Sequence, residues 1–582
     1  MTSLATAPPP YPMRTAQEKR TAYLARLSQL RSDRSSWISH WSELGRHILP
    51  RAPRFFATDR NRAGDHKYGS ILDNTATRSL RVLSAGMMAG MTSPARPWFR
   101  LAVPDPDLVD SHGVRIWLDD VVERMQRVFA RSNVYRALQQ LYEDLGAFGT
   151  NATLVLSDPQ SVIRCYSLPI GEYSLQQDYQ GRVTTCYREF ERTVVEVVKE
   201  FGWHNCSEAV QQAFRNRAFE STVNILHVIE PRADQERRPD SRAAIDMPWA
   251  SVYIEISGEA DDKLLRESGF QTMRVLAPRW GTSGADVYGI SPGMEALGDI
   301  KQLQQEQLRK SQAIDYQTKP PLQVPQSVRD RSQDILPGGI QYYEPGSTIP
   351  FDQVTANGGV RTAWEVNLDI GALLADIEDV RMRVKRTFHE DMFLMLTMAD
   401  NRMTATEVLE RQEEKLLMIG PVIERLANEA LEPLVSITFQ DMLEQGLLPP
   451  PPPELAGTEL TVEFVSILAQ AQRAVGITSV QQYVNDVLAV GATRPDVLDN
   501  VNFDNWARST AHMRGVAEDM LVDKPNVQEL REARAQAEAA REQTEIAAQQ
   551  ASTVKDLSTA PVDQNTALNE VMNSLAGTPA EP

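Results

Sequence analysis

Gly289-Ile290-Ser291-Pro292-Gly293 carries the G-x-S-x-G spacing of a hydrolase nucleophile elbow. Such an elbow needs the backbone N–H of the residue after the serine for its oxyanion hole, and Pro292 has none. The spacing therefore predicts a turn that opens a helix near Met294. His204 and Cys206 lie close enough in sequence to ligate a metal, but no second pair accompanies them. They read as a surface histidine beside a structural cysteine. His389-Glu390-Asp391 has the composition of an acid–base cluster and reads as a solvated helix end. There is no G-x-x-x-x-G-K-[ST] phosphate loop and no H-E-x-x-H. No catalytic residue, metal ligand or cofactor site is assigned, and the chain is not read as an enzyme. A capsid-associated hydrolase using Ser291 or His389 stays as the weaker alternative.

The elements that would position these residues come from a chain of 582 residues, long enough for two to four domains. Its hydrophobic content of 42% is that of a folded protein. Seventy-eight acidic residues outnumber 60 basic ones, for a formal charge of −18. That charge argues against a surface that grips nucleic acid throughout. It suits a protein past which nucleic acid must slide. The basic segment with Arg51, Arg54, Arg60, Arg62 and Lys67 could contact phosphates or salt-bridge within an assembly. Three cysteines, Cys165, Cys186 and Cys206, imply a reducing compartment. Neither a signal peptide nor an apolar run of membrane-spanning length is read, so synthesis in a cytoplasm is expected.

Periodicity predicts helices over Ala16–Ile48, from Asp73–Asn74 through Met91, and over Arg115–Arg131 and Val134–Phe148. Met87, Met88 and Met91 read as core packing. From Ala152 to Ala277 short β-branched and aromatic runs give a mixed α+β region with one helix near Val194–Phe201. Met294–Tyr316 is a glutamine-rich helix, and Ala363–Phe388 an amphipathic one with Ile370, Leu373, Ile377, Val380, Val384 and Phe388 on its stripe. Between them lies a Pro/Gly-punctuated segment with strand candidates at Leu322–Val324 and Gly339–Tyr343. An apolar loop at Met392–Leu396 feeds a helix capped by Thr404 and Glu407 and broken at Gly420-Pro421. Five prolines, Pro449–Pro453, read as a stiff spacer. A strand over Leu460–Val465, a small helical module and a polar helix over Val527–Ser552 complete the chain.

The order of these parts resembles the portal proteins of tailed phages, and most closely the head-to-tail connectors of short-tailed, T7-like phages (podoviruses). The likeness is carried by LDNTATRSLRVLSAGMMAGMTSPARPWFRL (Leu72–Leu101), KPPLQVP (Lys319–Pro325), LPGGIQYY (Leu336–Tyr343), RMTATEVLERQEEKLLMIGPVIERL (Arg402–Leu426) and VEFVSILAQAQRA (Val462–Ala474). The resemblance implies an α+β, mostly helical portal fold with wing, stem, clip and crown, an optional C-terminal barrel, and assembly as a ring of twelve subunits.

By matched segments it implies a wing over 1–290, stem helices over 291–317 and 351–388, and a clip over 318–350, a Pro/Gly-rich hairpin. It further implies a channel loop over 389–403, a kinked helix and Pro-rich linker over 404–459, a crown over 460–523 and a C-terminal helix or barrel with a tail over 524–582. The channel-loop residues would be Met392, Phe393, Leu394, Asn401, Arg402 and Met403, with the kink at Gly420 and Pro421. Bases that could brush DNA are Lys301, Arg309, Lys310 and Arg383 in the stem and Arg329 and Arg331 in the clip. The implied role is a ring at the unique capsid vertex of the virion, made in the host bacterial cytoplasm. It would conduct double-stranded DNA during packaging and ejection. Implied partners are the terminase motor, the tail adaptor, the major capsid and scaffolding proteins, and internal core proteins. A scaffold or tail structural protein is the other alternative; it requires long sustained heptads, which are absent outside Val527–Ser552.

Overall fold

The structure is a computed structural model. It describes residues 15–49, 71–104, 112–233, 237, 241, 243–256, 263–320, 322–325, 340–343, 361–362, 369–395, 419–455, 460–464, 483–490, 494, 496–497, 501–514, 522 and 524–559. The chain divides into two compact units, Met1–Gly515 and Val516–Pro582. The basic segment 51–67, the Thr404–Glu407 cap, and Asn401, Arg402, Met403, Arg329 and Arg331 lie outside the described residues.

In the first unit, helix α1 (Ala16–His47) opens with a capping box between Thr15 and Glu18. Helices α2 (Thr75–Met91), α3 (His112–Arg131) and α4 (Val134–Phe148) follow, the last closed by Gly149 at φ 77°. That left-handed conformation is one glycine adopts without steric cost. Gly149 also lies so close to the Gly289 carbonyl that no side chain would fit. Met87 and Met91 are buried in the main core, with Met88 packed against it.

The mixed region holds two sheets. Strands β2 (Ala152–Asp158), β3 (Val162–Leu168) and β9 (Val275–Leu276) form one, in the order β3-β2-β9. The other is an antiparallel meander of β4 (Tyr173–Gln177), β5 (Val183–Thr193), β6 (Thr222–Pro231), β7 (Trp249–Glu255) and β8 (Arg266–Phe270). Alternation along β6 and β7 splits their side chains between two cores. Ile225 and Tyr253 pack with Val197 and Phe201 of helix α5 (Val194–Phe201) and Val210 of helix α6 (Glu208–Arg215). Leu226, Val228, Val252 and Ile254 pack on Tyr23, Leu27 and Leu30 of α1. Coverage on both faces explains why β6 reads as a nearly continuous apolar run.

Helices α7 (Pro292–Glu295) and α8 (Leu297–Thr318) lead to a small sheet of β10 (Leu322–Pro325), β11 (Ile340–Tyr343) and β12 (Arg361–Thr362), ordered β11-β10-β12. Here the hairpin expectation needs correction. Strands β10 and β11 pair in parallel, Leu322 opposite Ile340. A hairpin joins antiparallel neighbours, whereas a parallel pair cannot be one. The antiparallel partner of β10 is β12, which lies in the range expected for the second stem segment. The amphipathic helix, α9, is described over Ile370–Thr387.

Strand β13 (Thr461–Phe464) pairs antiparallel with β1 (Phe99–Ala102), Phe464 opposite Phe99. Aromatic packing of Trp98 on Phe129 and Phe464 reinforces that joint. The polyproline run is not a free spacer. Trp117 donates its indole N–H to the Pro449 carbonyl at 3.1 Å, and Pro449 and Pro451 line a 420 Å³ apolar groove with Trp117, Phe439 and Leu455. Helix α12 (Phe503–Arg514) ends the described part of the first unit. Among the described residues of the second unit is one long helix, α13 (Lys524–Thr559), exposed along nearly all of its described side chains.

Candidate functional site

Helices α8 and α9 form an antiparallel pair. Leu303 on α8 meets Ile377 and Val380 on α9, with Leu373 packed alongside. One apolar stripe per helix suffices for this seam and leaves the remaining faces to water. Beyond Glu306, no described α8 side chain is buried.

The bases on this pair are mostly neutralised within the chain. Lys301 pairs with Glu43 of α1, and that contact holds the Glu43 carboxyl below its usual range. Arg383 reaches Asp299 at 3.2 Å and Asp379 at 3.4 Å. Arg309 is exposed and Lys310 partly so, and among the described residues neither has an ion-pair partner. Of the four described bases singled out from sequence, two are therefore tied to acids near the root of the pair, and two lie further along it.

That root is a polar node around Asp73. The Gln304 side chain acts like a strand edge: its carbonyl accepts from the Leu72 and Asp73 N–H groups, and its amide donates to the Asp73 carbonyl. Burial pushes the Asp73 carboxyl up, but donors from Thr75 and Arg381 outweigh it and hold the group below the usual range. Arg381 meets Asp73 through Nε at 3.0 Å and Nη2 at 2.7 Å. One carboxylate thus ties α2 to both helices of the pair, since Gln307 of α8 also donates to it.

At the end of α9 the chain turns sharply. His389 has φ 53°, uncommon for a residue with a side chain. Its carbonyl accepts the first N–H groups of helix α10 (Glu390–Met395). This corrects two sequence expectations. Met392 and Phe393 are not in an open loop; they are 5% and 3% exposed in the main core. Leu394 is partly buried. Nor is the His389-Glu390-Asp391 stretch a wholly solvated helix end. Glu390 is 3% exposed and accepts a hydrogen bond from the Ser79 hydroxyl of α2, while His389 stacks on Trp280 and is pushed by burial below the usual histidine range. Phe393 lies against Gly86 of α2, where the missing Cβ makes its room. The signal in sequence was Gly86 itself, a residue unfavourable in a helix interior unless a neighbour needs its space.

A helix is described from residue 419 onward. Gly420 and Pro421 stand in its first described turn, and Pro421 lines a 620 Å³ cleft against the β4–β5 turn. A further interruption follows, which sequence reasoning missed. Ala427–Leu431 is a π turn, with the Glu432 N–H donating to Ala427, and α-helix α11 (Glu432–Glu444) continues from it. Pro433 favours such a turn: its nitrogen has no hydrogen and its ring crowds the carbonyl four residues back, which a wider ladder ahead of it relieves. Two arginines beside β9 grip this interrupted helix. Arg279 forks onto Glu429, and Arg274 makes two 2.7 Å bonds to Asp441.

The G-x-S-x-G serine has no catalytic geometry. Ser291 is fully buried; its hydroxyl donates to the Ala147 carbonyl at 2.8 Å and accepts the Met294 N–H at 3.0 Å. It is the N-cap of α7 with Pro292 in the first turn, which matches the expected helix-opening turn. Ser291→Ala is expected to cost about 1–2 kcal/mol through loss of that cap, measured as a lower denaturation midpoint. Cys206 is buried and donates to the Gly202 carbonyl, while His204 is exposed. Among the described residues there is no group of three or more His, Cys, Asp or Glu that could hold a metal.

An α+β chain with an acid-neutralised helix pair, a buried post-helix turn and a clamped, interrupted helix has the makings of a structural part. Comparison with known proteins identifies its class. The family described as "Bacteriophage head to tail connecting protein" matches residues 20–521. A "Probable portal protein" of Bordetella phage BPP-1 is 50% identical over 562 residues, covering 96% of this chain and 99% of that protein. The "Portal protein" of Salmonella phage epsilon15 is 41% identical over 569 residues, covering 97% and 100%. A solved chain titled "Virion of native gene transfer agent (GTA) particle" aligns at 10% identity, covering 71% of this chain and 85% of that one. Its TM-score of 0.30 is too low to bear on the fold. The chain belongs to the phage portal, or head-to-tail connecting, protein family.

Proposed function

We propose that the chain assembles as a twelve-subunit ring at the unique capsid vertex and conducts double-stranded DNA inward during packaging and outward during ejection. Helices α8 and α9 serve as the stem, and the β10–β12 segment as the clip that docks the terminase motor and later the tail adaptor. Residues 1–290 form most of the wing, 389–403 the channel-loop segment, which opens with the buried helix α10, and 460–523 the crown. The wing and crown also meet the capsid, scaffolding and internal core proteins. The observation that carries this reading is the helix pair. Its seam is a narrow apolar stripe, and its root bases Lys301, Arg381 and Arg383 are neutralised by acids of the same chain. A wall built so presents little free positive charge for phosphates to bind, as a conduit requires. Arg309 and Lys310 remain as a weak basic ring for passing DNA. Within a ring, the uncovered Leu308, Ile314, Leu374 and Met382 of the pair would meet the neighbouring subunit.

Negative-stain images of the purified protein are expected to show rings with a central hole. Monomers under every assembly condition would refute the proposal. Deleting Pro325–Leu336 is expected to spare the ring and abolish terminase binding in a pull-down. Undiminished binding would remove the clip assignment.

A further inference from the structure

We infer that Arg279 is a positioning residue: its pair with Glu429 is a register clamp that holds the Ala427–Leu431 turn in the π form and so fixes the rotation of residues 419–426. The inference deepens the portal reading by naming what sets the attitude of the helix that follows the proposed channel loop. It rests on three observations that do not depend on one another.

The first is helix phase. Glu429 and Asp441 are both held by arginines flanking the same short strand, β9. Along a straight α-helix the twelve-residue separation carries the side chain through ~1,200°, leaving the two carboxylates ~120° apart around the axis. A π turn accommodates an extra residue and removes up to ~100° of that offset. Glu429 lies inside the turn, so the part of the turn that follows it reduces the offset and brings the two carboxylates nearer the same side.

The second is that Glu429 has no substitute. A one-residue shift in register would bring Asn428 or Ala430 to Arg279. Neither can take a guanidinium as a charged, two-oxygen acceptor. Arg279 is 6% exposed, so loss of its counter-charge would leave a buried cation. Its other bonds lead into the wing: Nη1 donates to the Gln177 side chain at 3.0 Å and Nη2 to the Gly181 carbonyl at 2.8 Å. The clamp therefore joins the helix to the β4–β5 turn, whose tip residue, Tyr179, is 94% exposed.

The third is room to move. The 620 Å³ cleft separates this stretch of helix from the wing, with Pro421, Arg425, Asn428 and Pro433 on one wall and Arg182, Met273 and Ala277 on the other. On the helix's other side Ile419, Ile423 and Leu426 are buried in the main core and Arg425 donates to the Trp280 carbonyl at 2.8 Å, so the segment is open on the cleft face and can shift only toward it. The C-terminal half has no such freedom, because Asp441 is 1% exposed and held by both guanidinium nitrogens of Arg274.

The test is hydrogen–deuterium exchange on the full-length protein, comparing peptides from 419–431 with those from 434–444. Glu429→Gln is expected to speed exchange about tenfold or more in 419–431 while leaving 434–444 within about twofold of the parent. Should Glu429→Gln not yield folded protein, Arg279→Lys keeps the charge, loses the fork, and should loosen the same peptides by a smaller factor. Unchanged exchange in 419–431, or an equal rise in both segments, would overturn the clamp. The measurement needs neither DNA nor a capsid, so its failure is distinguishable from failure of the portal reading, which the ring images test.

Discussion

Asp441→Ala is expected to destabilise the first unit by about 3–5 kcal/mol, the cost of leaving one member of a buried ion pair without its partner. The geometry puts it at the severe end. Asp441 and Arg274 are almost wholly withdrawn from water, and the fork is made by two 2.7 Å bonds. In the variant the Arg274 guanidinium keeps its desolvation penalty and loses both charged acceptors. Replacing both partners, as Arg274→Met with Asp441→Leu, removes the stranded charge and is expected to cost much less than the single change. Chemical denaturation of the three proteins in parallel decides between this and a mere packing role. If the double variant is as unstable as the single one, the pair matters through shape and not through charge.

That pair also shows where sequence reasoning stops. Helix α4 was legible to the residue, Val134–Phe148, because its apolar positions recur at helical spacing and Gly149 closes it. The meander was legible as strands because β-branched runs alternate with turns. Neither Arg274 nor Asp441 carries any local signal that it will meet the other, since a fork across 167 positions belongs to packing alone.

Other misses have the same origin. A sheet formed by segments as distant as β1 and β13 is invisible to periodicity. The parallel pairing of β10 with β11 required knowing that β12 takes the antiparallel edge. The π turn was different, because its signal was present. Pro433 stands in ALEPLV as plainly as Pro421 stands in MIGPVI. The Gly-Pro dipeptide joins two helix breakers and is a strong signal, whereas a lone proline is a weak one because a helix can absorb it by widening. Of the candidate site, the glutamine-rich and amphipathic helices were legible and do pair. What binds their root, Asp73 with Gln304 and Arg381, was not.

Gly86→Ala is expected to reverse the usual sign of a helical glycine replacement. In an open helix the change stabilises by about 0.5–1 kcal/mol. At this position a Cβ would overlap the Phe393 ring, whose Cβ, Cγ and Cδ1 are the nearest atoms. The neighbour is the base of a buried ring on a short helix, not the tip of a flexible chain, so helix α10 must lift or α2 must shift. Overpacking of this kind costs about 1–3 kcal/mol, more than the helical gain. Gly86→Ala is therefore expected to lower the denaturation midpoint, and Phe393→Ala, which removes the Cγ and Cδ1 atoms nearest the added Cβ, to cost less in that background than in the parent. An additive result would show that the two residues do not meet. The functional consequence follows from order in the chain. Helix α10 carries Met392, Phe393 and Leu394 at the start of the proposed channel loop, and it is latched to α2 by Ser79–Glu390 as well as by Phe393 in the Gly86 notch. Lifting it would displace the root of that loop. Rings of the Gly86→Ala protein are expected to assemble and to package less DNA than the parent.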